Sequence, residues 1–229
     1  MATSGTTAFD LDIDAIIEEA YERCGVRTNS GKDLKSARRS LNILFSEWGN
    51  RGVHLWKVEL KEQLLTAGTS TYTAPTNTND ILEAYISTTT GTTSSTNDVS
   101  LTKISRSEYA ALPNKGSTGQ PSQYYVDRQT TPTITLYQTP DASTYTYVKY
   151  YYLKRIEDVG SYTNQADVVF RFLPCMVAGL AYYLSMKKNP QLVQQNKLLY
   201  EDELQRALTE DGQRTSVYIT PQNYFPQGA

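Results

Sequence analysis

The sequence predicts an α+β protein: a four-helix bundle with an inserted antiparallel β subdomain and an extended C-terminal tail. Three observations predict it. Apolar residues recur every three or four positions in two stretches near the start of the chain and two near its end. Between these pairs the apolar period changes to two, as half-buried strands require. After Gly212 neither period continues, and Pro221 and Pro226 interrupt the last stretch of the chain.

Residues 1–9 read as a loose, Thr-rich arm, without the charged start and apolar stretch of a secretory leader. Ile13, Ile16, Ile17, Ala20 and Cys24 then share one helical face, with Asp12 or Asp14 placed to cap the start and Gly25 to end it. Ser30 and Asp33 have capping-box spacing ahead of Leu34, Ala37, Leu41, Leu44, Phe45 and Trp48, and this second helix stops near Gly49 and Gly52. Trp56, Val58 and Leu60 then alternate with Lys57, Glu59 and Lys61 as a strand. Strand patterns recur at Thr71–Thr73, Ile81–Thr88, Val99–Ile104, Gln123–Arg128, Thr133–Gln138 and Thr144–Leu153. The polar tract 88–96 reads as a flexible tip, and Ser105 with Glu108 caps a short helix that ends by Pro113. Helical period returns after Thr163, with Pro174 in a first turn or at a kink and Ala178, Gly179 and Ala181 allowing close approach. Asn189-Pro190 separates this helix from one carrying Val193, Tyr200, Leu204 and Ala207. Each helical pair is too thin to bury its apolar face alone, so one bundle built from both is the economical arrangement. The expected divisions are 1–52, 53–160, 161–212 and 213–229.

The 229 residues suffice for a core without disulfide or metal staples. Two cysteines, Cys24 and Cys175, make no disulfide framework and read as small buried hydrophobes. A formal charge of −2 excludes the broad basic excess of a dedicated nucleic-acid binder. The most apolar stretch, Val168–Met186, contains Arg171 and Pro174 and reads as a core helix, so no membrane partner is expected. Tyr outnumbers Phe 18 to 5, a bias that suits thin β-structure and polar subunit interfaces, since a tyrosine ring tolerates a wet edge.

Little in the chain points to catalysis. His54 is the single histidine and has no Cys or carboxylate cluster of metal-ligand spacing around it. Phosphate-binding glycine loops and a nucleophile elbow are absent from the sequence. Glu18, Glu19 and Glu22, like Glu201, Asp202 and Glu203, read as solvated helix faces. No catalytic residue, metal or cofactor is therefore expected. Lys35, Arg38 and Arg39 share a helix face opposite Leu34, Leu41 and Phe45, which suits an ordinary solvated surface or contact with a neighbouring subunit or an acidic partner. The tail is more apolar than an idle terminus: Val217, Tyr218 and Ile219 could add a strand to an exposed sheet edge, and Tyr224 and Phe225 could anchor in pockets of a partner.

Several segments carry a family resemblance. Ala37-Arg38-Arg39-Ser40-Leu41-Asn42 running to Trp48-Gly49-Asn50-Arg51-Gly52 and Leu55-Trp56 is similar to the opening of the head-to-tail adaptors of short-tailed bacteriophages, the tail accessory or tail tubular adaptor proteins. Ile104 to Tyr109, Gly119 to Tyr125, Phe172-Leu173-Pro174 and Gly179 to Leu184 resemble that family in the same order, so the likeness covers roughly residues 10–212. The resemblance implies a non-enzymatic virion protein of the neck or tail, made in the host cytoplasm. It implies a homo-oligomeric ring of about twelve copies that binds the portal protein, carries the tail nozzle or tube protein and lets genomic DNA pass without specific binding. It also implies that the C-terminal extension contacts the portal, and it makes Lys35, Arg38 and Arg39 candidates for a subunit interface or a portal contact. Two other readings compete: a virion-associated peptidoglycan-degrading enzyme and a carbohydrate-binding module.

Overall fold

In the computed structural model, which describes residues 11–27, 31–52, 55–91, 97–161 and 163–212, the chain opens with helices α1 (Ile13–Arg23) and α2 (Gly31–Arg51). The Asp12 carboxylate accepts from the Ala15 amide at 2.9 Å, satisfying one of the open donors at the start of α1. Gly25 and Gly52 follow the two helices at φ +67° and +77°, left-handed conformations that a side chain would oppose. A short 3-10 turn, Leu55–Lys57, leads into β1 (Val58–Leu64). Trp56, expected in that strand, sits in this turn instead, its ring 4.7 Å from Phe172.

Eight further strands follow: β2 (Thr71–Thr73), β3 (Thr78–Ser87), β4 (Asp98–Ile104), β5 (Thr118–Gly119), β6 (Gln123–Asp127), β7 (Thr133–Tyr137), β8 (Thr139–Pro140) and β9 (Tyr147–Lys154). Between β4 and β5 lies helix α3 (Arg106–Ala111), opened by the capping box of Ser105 and Glu108. After β9 an extended segment and a 3-10 turn lead to α4 (Leu173–Lys188), with Pro174 in its first turn, and then α5 (Val193–Asp211). The N-terminal arm 1–9, Ser30, His54, residues 92–96 of the polar tract and the whole tail 213–229 lie outside the described residues.

Seven strands form one mixed sheet in the order β1-β9-β3-β4-β6-β7-β2, and β5 and β8 form a small parallel pair. Strand β4 works in two halves: its first residues pair antiparallel with Ala84–Ser87 of β3, and Thr102–Ile104 pair parallel with Gln123–Tyr125 of β6. The sheet curls about β4, so that Ile81, Ile86, Val148 and Tyr150 from one half meet Tyr124, Ile134 and Leu136 from the other in a single apolar cluster. The Tyr124 hydroxyl donates to the Leu82 carbonyl at 3.0 Å across that interior.

These features correct the expected fold class. The protein is sheet-rich: the described residues form five helices beside a curled seven-stranded mixed sheet, and not a four-helix bundle with an inserted antiparallel β subdomain. The sheet is mixed because α3 and the loop after it supply the crossover that brings β6 alongside β4 in the same direction. Residue alternation reports which face a side chain takes, and it is blind to strand direction. The helices also differ from the expected bundle. Every residue from Cys175 to Ala181 is buried, so α4 is surrounded, and α1, α2 and α5 each pack on it. Their shared cluster includes Ile16, Leu41, Leu44, Trp48, Leu180 and Tyr200, all 2% exposed or less. Each such large side chain contributes about 1.5–3 kcal/mol on leaving water.

Candidate functional site

Helix α2 buries Ala37, Leu41, Leu44, Phe45 and Trp48 and turns a second face outward. Lys35, Arg39 and Ile43, spaced by four, are exposed on that outer face. Arg38 is not on it. Its guanidinium donates to the Val159 carbonyl at 3.0 Å and to the Gly160 carbonyl, while Asn42 accepts from the Val159 amide at 2.8 Å. Arg38 and Asn42 thus clamp the segment that leaves β9 against α2. The basic surface gains two lysines from α4 instead. Lys187 donates to the Ser40 hydroxyl at 2.7 Å and Lys188 to the Asp33 carboxylate at 2.7 Å. Burial, and then the nearby Arg39, hold the Lys187 ammonium below its usual pKa.

The outward face of α1 has the opposite sign. Glu18, Glu19 and Glu22 are exposed and rim a groove of about 520 Å³ whose apolar lining comes from Leu11, Ala15, Phe170, Leu173 and Val177. Glu19 is paired with Arg23 at 2.8 Å.

A third cluster ties the helices to the sheet. Lys57 pairs with Asp167, which also accepts from the Glu157 amide at 3.0 Å. Arg171 pairs with Asp211, the last residue of α5, and both line a shallow cleft with Trp56, Leu82 and Tyr151 on the outer side of the sheet. The end of α5 is therefore pinned where the tail departs.

The fourth feature is a buried lysine. Lys149 is 2% exposed on the outer face of β9. Its ammonium donates to the Gly91 carbonyl and lies 3.3 Å from Asp98 and 4.0 Å from Glu62. Glu62 accepts in turn from the Gly91 amide at 2.7 Å. The base of the polar tract is thus folded down over the sheet, with Thr146 donating to the Thr88 carbonyl at 3.0 Å.

None of these clusters pairs an accessible nucleophile with a base: the Ser40 hydroxyl beside Lys187 is buried and donates to the Ser36 carbonyl at 3.1 Å. Burial pushes the Cys24 thiol up to about 11 and Cys175 up to about 12, away from reactive thiolate. The Cys24 thiol is spent on the Ala181 carbonyl at 3.0 Å. Among the described residues no group of His, Cys, Asp and Glu is placed to hold a metal, and no helix is long and apolar enough to cross a membrane.

What the molecule offers is surface: a basic face, an acidic groove and a pinned tail root. The chain matches the SU10 adaptor protein family over residues 34–223. It belongs to that family. No curated protein matches the chain. The adaptor resemblance read from the sequence is borne out, and the protein is a bacteriophage structural adaptor, a virion component of a family that is not enzymatic.

In this adaptor the matched region starts one residue before Lys35 and takes in Arg38 and Arg39. It runs past the end of α5 to include Val217, Tyr218 and Ile219, and stops just before Tyr224 and Phe225. Sequence reading missed the inward turn of Arg38, although its spacing from Leu34 and Leu41 places it on the apolar flank of α2. It also missed Lys149 as an anchor. The signal for it was a single charge between Val148 and Tyr150 in the most tyrosine-rich strand.

Proposed function

We propose that the adaptor joins head to tail: about twelve copies close into a ring under the portal, extend the DNA channel and carry the tail nozzle or tube protein. The observation that carries this reading is the family match over residues 34–223, which spans α2, the whole sheet, α4, α5 and part of the tail. A closed cyclic ring needs each copy to offer two different surfaces, and the basic and acidic helix faces are two such surfaces. Lys35 and Arg39 serve as interface residues, with Arg38 supporting them from behind. The tail, through Val217, Tyr218, Ile219, Tyr224 and Phe225, docks on the portal, and its root at Asp211 is held by Arg171. A formal charge of −2 suits a channel that must pass DNA without gripping it, since multiple phosphate contacts would stall the duplex.

Electron microscopy of the purified protein mixed with its portal tests the reading, with a ring of about twelve subunits seated on the portal expected. Deleting residues 213–229 should leave the melting temperature nearly unchanged and abolish that seating. A truncated protein that docks as well as the full chain overturns the role of the tail. Absence of any ring on the portal overturns the head-to-tail reading.

A further inference from the structure

Two like-charged pairs stand on the outer surface of the helical region. Glu18 and Glu22 are four apart on α1, and Lys35 and Arg39 are four apart on α2. At that spacing charges of one sign repel and weaken the helix that carries them. Among the described residues the ion pairs include none that relieves either pair, and none joins α1 to α2. Glu19, between the two glutamates, is already occupied by Arg23. Among the described residues two uncompensated pairs of opposite sign thus stand on two adjacent helices.

Each pair also borders exposed apolar surface. Beside Glu18 and Glu22 lies the groove whose apolar lining includes Leu11 and Phe170, both exposed. One turn beyond Arg39 is Ile43, which is 54% exposed although it sits mid-helix. An acidic rim over an apolar groove complements a basic stripe that ends in an apolar knob. Electrostatic matching of this kind fixes partner and register, and apolar burial adds affinity.

We infer that the occupant of the α1–α4 groove is a second copy of this chain: α2 of one subunit lies along the groove of the next, with Lys35 and Arg39 on Glu18 and Glu22 and Ile43 over the apolar floor. The inference rests on the ring reading above and names the contact that closes the ring. The two surfaces are different, so the contact is heterologous, and repeated rotation propagates it around a closed ring. Contact between the two pairs relieves the repulsion within each helix. It brings four charges of alternating sign together at a rim where water still reaches them, so the association weakens as salt rises.

Charge exchange in the full chain tests this. Variant one carries Glu18→Lys and Glu22→Lys; variant two carries Lys35→Glu and Arg39→Glu. Each is mixed with portal, and rings are counted by electron microscopy and sedimentation. Either variant alone should lose ring formation by at least tenfold, because both of its surfaces then carry one sign. An equimolar mixture of the two should restore it, since every contact in an alternating ring is again complementary. A misfolded variant could not be rescued in this way, so rescue also certifies both folds. Wild-type rings accompanied by undiminished rings from both variants overturn this contact and leave the ring reading intact. Failure of the mixture to recover overturns the contact as well. Wild-type protein that binds portal singly, with no lateral association, overturns the ring reading and the contact together.

Discussion

The indole N–H of Trp48 donates to the Tyr200 hydroxyl at 3.0 Å, joining α2 to α5 inside the helical core. Both rings are 1% exposed or less, so water cannot replace either partner. Tyr200 also stacks on Tyr182 of α4, with centroids 6.2 Å apart. Tyr200→Phe should therefore strand a buried donor and cost about 1–3 kcal/mol. The double variant with Trp48→Phe should lose less than the sum of the single losses, because nothing polar is then left unpaired. Denaturant melts of the four proteins check this, and simple additivity would contradict it.

Gly179 faces the same core. A Cβ there would come within 2.9 Å of both Leu44 methyls and of the Tyr200 ring. Alanine favours a helix over glycine by about 1 kcal/mol, whereas overpacking a filled core costs about 1–3 kcal/mol. Packing should win: Gly179→Ala is expected to lower the melting temperature by about 2–4 °C per kcal/mol of net loss. A higher melting temperature would show that α4 can shift to make room.

Acid should loosen the link between α2 and α5. Arg51 grips Glu201 with two hydrogen bonds, of 2.8 and 2.9 Å, and this holds the Glu201 carboxyl below its usual pKa. A depressed carboxyl stabilises the fold above its ordinary value of about 4.3, and that contribution fades as pH falls through the lower, folded value. Because the two side chains are 36% and 40% exposed, the contribution is screened to under about 1 kcal/mol. Glu201→Gln should be less stable than wild type at neutral pH, and the gap in melting temperature should close as pH falls below about 4. A gap that is constant with pH would place the effect in packing.

Lys149 holds the loop base through one carbonyl and two carboxylates. Lys149→Met keeps the stem and removes the charge. Glu62 and Asp98 remain 27% and 36% exposed and can rehydrate, so the loss should be about 1–3 kcal/mol, below that of a fully buried pair. Amide exchange should rise at residues 88–91 and 97–98 and stay unchanged in α4. Unchanged exchange at the loop would show that Thr146, bonded to the Thr88 carbonyl, and Ser87, whose hydroxyl donates to the Thr89 carbonyl at 2.8 Å, suffice to hold it.

Periodicity made the four long helices readable because each keeps its apolar residues on a stripe or, in α4, all round. Asp12, Ser105 and Pro174 announced helix starts through local bonding that needs no tertiary context. Strand direction had no local signal: Thr102 to Ile104 alternate in the same way whether β6 runs with them or against them. Arg38 was misjudged and Lys149 passed over for a related reason. A long cationic side chain can lie on a solvated face or reach inward to a carbonyl, and the choice depends on segments far away in sequence: Val159 and Gly160 for one, Gly91 for the other. The tail could be judged only by composition.

The order in which the elements meet also matters while the chain is being made. Helices α1 and α2 find their partner in α4, and β1 finds its own in β9, so the first quarter of the protein has little to fold against until most of the rest has left the ribosome. At roughly 5–20 residues per second, the apolar side of α2 waits on the order of ten seconds for Leu180 and Leu184. Translation thus leaves a window in which Trp48, Leu44 and Leu41 stand uncovered, and the chain is most prone to clump with its siblings during that window rather than after release.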